Sequence, residues 1–188
     1  MKRSLAYLAG VLLLLSSATS WSDEYSDTVA LFKNAGASSS FFSNSYGYAV
    51  FPTIGKGGLG VGGAHGKGRV YKQGKYVGDT SVTQVTVGLQ AGGQAYSQII
   101  FFQDQRAFDE FTNGNFEFGA DASAVAITAA AGASASTGGS SAGASGGKKD
   151  ATTAGNYHKG MAVFTIVKGG AMYQATLGGQ KYKYKPKS

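Results

Sequence analysis

The chain has 188 residues, a formal net charge of +7, 30 glycines and no cysteine. The lack of cysteine excludes disulfides, thiolate metal sites and a cysteine-linked lipid anchor. Residues 23–147 carry seven basic and nine acidic side chains, whereas residues 148–188 carry eight lysines and one aspartate; that excess suits either solubility alone or an anionic partner such as a lipid surface or polyanion.

Residues 1–22 have the layout of a secretory signal peptide. Lys2 and Arg3 precede the apolar run Leu5–Leu15, and small residues and then an acidic stretch follow. The apolar core is too short for a permanent membrane span. Cleavage is expected after Ser20 or Ser22. The expectation is an exported protein, periplasmic or peripherally membrane-associated, with residues 23–188 forming one domain.

"SDEYSDTVALFKNAG" predicts a helix, with Tyr25, Val29 and Phe32 on one face and Gly36 at its end. A second short helix is expected around Phe41 and Phe42. The period then changes to that of a strand in "YGYAVFPTI", where Pro52 marks an edge or a bend. The glycine run "GKGGLGVGGAHGKG" predicts a sharp bend of the sheet. Gln73-Gly74 reads as a hairpin turn. Val85, Val87, Leu89 and Ala91 alternate with Thr86, Gly88 and Gln90, and Gly92-Gly93 reads as a bend or bulge.

"DQRAFDEFTNG" predicts a helix capped by Asp104 and stopped by Gly114, with Phe108 and Phe111 inward. "FEFGADASAVAITAAAGASAS" begins as an alternating strand and decays into a Gly/Ser/Ala-rich loop at 132–155. Gly169-Gly170 is read as a turn between "MAVFTIV" and "AMYQATL". In the last stretch Tyr182 and Tyr184 share one face, and Lys181, Lys183 and Lys185 share the other. That lysine row reads as edge protection or as part of a polyanion site. The fold class expected is β-rich α+β: a strongly curved or barrel-like antiparallel sheet of seven to ten strands. One to three short helices accompany it, the amino-terminal one packed on the sheet.

The chemistry-bearing motifs fail on their flanks. Gly55, Gly57 and Gly60 match G-x-G-x-x-G, but strand pattern stands on both sides and no helix opens to seat a pyrophosphate. Gly66-Lys67 is followed by Gly68, where a phosphate-binding P-loop needs Ser or Thr. His65 and His158 have no acid beside them in sequence and no metal-binding spacing. Asp109 and Glu110 diverge on a helix, and sequence brings no pair of carboxylates together. No catalytic residue, metal or cofactor is expected. Export makes nucleic acid an unsuitable partner.

Lys56, Lys67, Arg69, Lys72 and Lys75 gather in and after the glycine run, where closely approaching backbone N–H groups and cations suit an anion. Phe32, Lys33, Phe41 and Phe42 offer a second surface, either core or a membrane contact.

"SYGYAVFPTIGKGGLGVGGAHGKGRVY" (Ser45–Tyr71) resembles the opening block of the SYLF-domain family, lipid-binding domains of bacteria and eukaryotes. "SVTQVTVGLQAGGQAYSQIIFF", the Phe108/Phe111 pair and "FGADASAVA" are similar to the family's following blocks. The resemblance implies a single β-rich domain that recognises anionic phospholipid or phosphoinositide headgroups. It also turns the anion site at Lys56, Lys67, Arg69, Lys72 and Lys75 into a headgroup site. Fungal relatives are associated with actin; that partner is not expected to transfer to an exported protein. The 132–155 segment and the lysine-rich ending depart from the shorter eukaryotic pattern. A small outer-membrane β-barrel and a polyanion-binding structural or host-interaction protein are the alternatives.

Overall fold

The computed structural model describes residues 23–119, 121–127, 157–170 and 177–188, apart from the side chains of 23, 87–91 and 169–170. The expected signal peptide 1–22 and the 132–155 segment lie outside the described residues. Among the described residues three helices come in chain order: α1 (Asp23–Asn34), α2 (Phe41–Asn44) and α3 (Gln105–Thr112). The strands are β1 (Gly47–Lys72), β2 (Lys75–Phe102), β3 (Asn115–Glu117), β4 (Val125–Ile127), β5 (Met161–Gly170) and β6 (Lys181–Pro186).

One long hairpin dominates. β1 and β2, of 26 and 28 residues, pair antiparallel from Gly47↔Phe102 to Lys72↔Lys75. Gln73 (φ 49°) and Gly74 (φ 81°) make the turn, the two positive φ values that a tight type I′ hairpin requires. The other edge of β2 pairs with β6 over Gly78–Thr83 and with β5 over Gln94–Phe102. β3 extends the sheet beyond β6. β4 lies beyond β5 and runs parallel to it, so the expected antiparallel sheet is in fact mixed.

The hairpin is folded over at its glycine run, as the sequence predicts. The register shifts between Leu59↔Ala91 and Val61↔Val87, leaving Gly60 (φ 70°) opposite three residues of β2. Beyond this bend the second half of β1 returns across the first half. A Cβ on Gly66 would stand 2.7 Å from Ile54 Cγ1, and one on Gly68 2.7 Å from both Val50 O and the Phe51 ring. Only glycine permits that approach. The result is a curled sheet that does not close.

Folding the hairpin over creates two cores. Between the halves lie Phe51, Ile54, Val70, Val82, Ile100, Phe102, Phe111 and Tyr182. On the opposite face, Phe32 and Phe41 from the helices pack on Val50, Ile99, Phe101 and Phe164. Neighbours along a strand point to opposite faces, so Val50/Phe51, Ile99/Ile100 and Phe101/Phe102 each supply both cores. This explains the unbroken apolar run "IIFF" (Ile99–Phe102), which alternation alone does not predict. A polar seam crosses the inner core: Gln98 Nε2 donates to Tyr182 Oη (2.6 Å), and Gln180 Nε2 donates to Tyr96 Oη (3.1 Å).

Among the described residues the sheet has six strands, and the glycine run bends the β1–β2 ladder without ending it. Two expectations are corrected. Gly169 and Gly170 form no turn; they continue β5 opposite Ala95 and Gln94. The expected strand from Phe116 onward breaks into β3 and β4, and Leu177 N, donating to Ala122 O (3.2 Å), ties the connection down.

Candidate functional site

Register decides which cations meet. Lys67 stands opposite Ser81, and Ser81 stands opposite Lys183. Directly paired residues in an antiparallel ladder point to the same face, so these three form one row. His65–Thr83–Lys181 and Arg69–Asp79–Lys185 form the rows on either side. The intervening Gly66, Gly68, Thr80, Val82 and Tyr182 are buried on the other face. Lys67, Lys181, Lys183 and Lys185 therefore share one exposed face of β1–β2–β6. With strands ~4.8 Å apart and alternate residues ~7 Å apart, the backbone sites of this patch span roughly 10 by 14 Å. Among the described residues none of these four lysines is in a salt bridge.

Arg69 lies on the same face but is engaged. Its guanidinium sits 4.2 Å from the centre of the Tyr25 ring of α1 and 4.9 Å from that of Tyr76 of β2. Tyr76 in turn donates its hydroxyl to Asp79. Burial first, and then this hydrogen bond, push the Tyr76 hydroxyl up to about 12. Arg69 thus fastens the amino-terminal helix to the sheet.

The five cations singled out from sequence do not form one cluster. Lys67 and Arg69 share the outer face. Lys72 turns the other way, over the rings of Tyr46 (5.3 Å) and Phe108 (5.8 Å), and its hydrogen bond with Tyr46 raises its pKa. Lys75 is its partner at the hairpin end. Lys56 stands before the bend, opposite Gln94, where partial burial lowers its pKa. The lysines that do join Lys67 come from β6. The "KYKYK" alternation reveals their face, but only the β2–β6 register reveals their neighbours.

The aromatic candidates are mostly core. Phe32 is fully buried and Phe41 8% exposed, with Phe41 packed on Phe101 (5.4 Å) and Phe164 (5.1 Å). Neither is available to a membrane in this fold, because both fill the layer between the helices and the sheet. Phe42 is half-buried edge-on to Phe101 (4.9 Å), and Lys33 lies 5.4 Å from its ring centre.

His158 does meet an acid in space: its Nε2 lies 3.2 Å from Asp121 Oδ2, with Lys159 Nζ at 3.5 Å. A backbone hydrogen bond, then His158, then Lys159 hold the Asp121 carboxyl below the usual range. All three side chains are exposed. Gly55, Gly57 and Gly60 lie within β1, where no helix amino terminus is presented. Among the described residues no group of three His, Cys, Asp or Glu side chains is placed to hold a metal ion.

The model of the family Ysc84, described as Las17-binding protein actin regulator, matches residues 83–185. The match runs from the middle of β2 into β6 and takes in Lys181, Lys183 and Lys185. No curated protein matches the chain.

Proposed function

The chain belongs to the Ysc84 family, the SYLF-domain family that its sequence resembles, and from that premise we propose that it is an exported, non-catalytic module that holds anionic phospholipid headgroups at a membrane surface. The observation that carries the reading is the joining of Lys67 with Lys181, Lys183 and Lys185 on one exposed sheet face. Lysines near an anionic bilayer contribute about 1 kcal/mol each, an attraction that salt screens. Four on a sheet face suit an extended charged plane. The family description names Las17 and actin; the signal-peptide layout of residues 1–22 supports export, which would separate the chain from both and favours a lipid surface as its partner.

The same rows speak against an outer-membrane barrel, whose outward residues form an apolar band. Here the outward residues of three adjacent strands are lysine, arginine, histidine, serine, threonine and aspartate. A soluble polyanion would meet the same lysines, so the test needs both ligands. The mature protein should co-sediment with phosphatidylglycerol-containing vesicles at low salt, release at high salt, and ignore pure phosphatidylcholine vesicles. Heparin should compete only weakly. Equal capture by neutral vesicles, or heparin binding without vesicle binding, would sink the reading.

A further inference from the structure

The described residues contain four large, well-exposed aliphatic side chains, and three of them sit at the hairpin bend: Leu59 (81% exposed), Val61 (63%) and Val85 (76%). Val61 pairs with Val87, and Val85 pairs with Gly63. Val61 and Val85 are therefore diagonal neighbours on one face, roughly 7–8 Å apart, with Leu59 just beyond Gly60. That face is the lysine face. The next rows along it are His65–Thr83–Lys181 and then Lys67–Ser81–Lys183. From the Val85 row to the Lys67 row is about 14 Å along the strands. Glycines 57, 58, 60, 62 and 63 surround the aliphatic groups and offer them no side-chain cover.

We infer that Leu59, Val61 and Val85 form a lip that enters the hydrocarbon edge of an anionic bilayer while the lysine rows hold its headgroups. This rests on the headgroup reading and adds a contact that salt does not screen. Exposed aliphatic clusters rimmed by polar groups mark interaction sites. The rim here selects the occupant. A second copy docked lip to lip about a two-fold axis would bring both lysine faces toward each other, an arrangement like charges oppose. An anionic bilayer supplies negative charge to the lysines and hydrocarbon to the lip.

The absence of native cysteine allows a site-specific test. Val61→Cys and, as a control away from the lip, Gln103→Cys are labelled with an environment-sensitive dye. They are then mixed with phosphatidylglycerol-containing vesicles carrying acyl-chain nitroxides. Quenching at position 61 and none at position 103 is expected. In parallel, the Leu59→Ser/Val61→Ser/Val85→Ser protein should bind anionic vesicles more weakly than the parent at every salt concentration, by about tenfold for each side chain that enters hydrocarbon, and should release at a lower salt concentration. If the triple variant matches the parent at every salt concentration, or position 61 is not quenched, the lip is overturned and the headgroup reading stands. If the parent binds no vesicles at any salt, both fall. A dye response at position 61 that grows with protein concentration in the absence of lipid would assign the lip to a second copy and also overturn the inference.

Discussion

Lys67 of β1 and Lys183 of β6 face one another across Ser81, one on each side of the central strand. They come from strands far apart in the sequence, and only the pairing of β6 with β2 brings them together. This separates the cations that act together from those that are merely close in sequence. Lys67→Gln with Lys183→Gln should weaken binding to anionic vesicles, each lysine accounting for about 1 kcal/mol, or roughly fivefold, at low salt. Lys72→Gln with Lys75→Gln should matter less, because Lys72 lies over Tyr46 and Phe108 on the other side. Vesicle titrations that rank the two pairs in the reverse order would move the site to the hairpin end.

Arg69 is expected to act on the fold. Between Tyr25 and Tyr76 it makes two cation–π contacts, each worth about 0.5–1 kcal/mol at a partly exposed site. Arg69→Ala should lower the urea midpoint accordingly and make residues 23–34 the first segment cut by protease. Arg69→Lys should recover only part of the loss, since an ammonium does not stack flat against two rings. Unchanged proteolysis of α1 would show that the helix is held by its buried face alone.

Close approach at the doubled strand predicts a contrast among glycines. Gly66→Ala and Gly68→Ala put a methyl 2.7 Å from Ile54 Cγ1 and from Val50 O respectively. Overpacking of this kind costs about 1–3 kcal/mol. Gly55→Ala meets nothing within 4 Å and should be neutral. Equal unfolding midpoints for all three proteins would rule out the folded-over arrangement of β1.

Alkaline pH should loosen the protein through its tyrosines. Burial raises the Tyr48 and Tyr157 hydroxyls to about 12, and Tyr71 adds to the effect at Tyr48. An unfolded tyrosine ionises near 10. Between those values the native state holds protons that the unfolded state has lost, so stability falls as pH rises. The melting temperature should be insensitive to these groups up to about pH 10 and fall from there toward 12. Tyr48→Phe should make that fall shallower; an unchanged slope would remove Tyr48 from the account.

What could be read in advance was local. The period of Tyr25, Val29 and Phe32, the Asp104 cap (Ala107 N to Asp104 Oδ1, 2.9 Å) and the Gln73-Gly74 turn each follow from a few adjacent residues. The bend at Gly60 was legible because so much glycine suits neither a helix nor a flat strand. The inward Tyr182 and outward lysines of β6 were legible from alternation. The strand beside β6 was not, since pairing between distant segments leaves no periodic mark. Gly169-Gly170 misled because two glycines also suit a paired strand whose partner, Gln94-Ala95, follows a glycine pair of its own. Phe32 and Phe41 fit core and membrane equally in sequence; the layer of Val50, Ile99 and Phe101 decides for core. The carboxy-terminal lysines are built into the sheet, because β6 is hydrogen-bonded to β2 and β3. Deleting residues 181–188 would remove part of the sheet along with its charge.

The most direct test of the lysine face is therefore substitution in place. Lys67, Lys181, Lys183 and Lys185 are replaced together by glutamine, and affinity for phosphatidylglycerol-containing vesicles is measured against salt, with circular dichroism confirming the fold. The account predicts a large loss of low-salt affinity and a much flatter salt dependence than the parent protein shows. A folded quadruple variant with the parent's affinity and salt slope would contradict it.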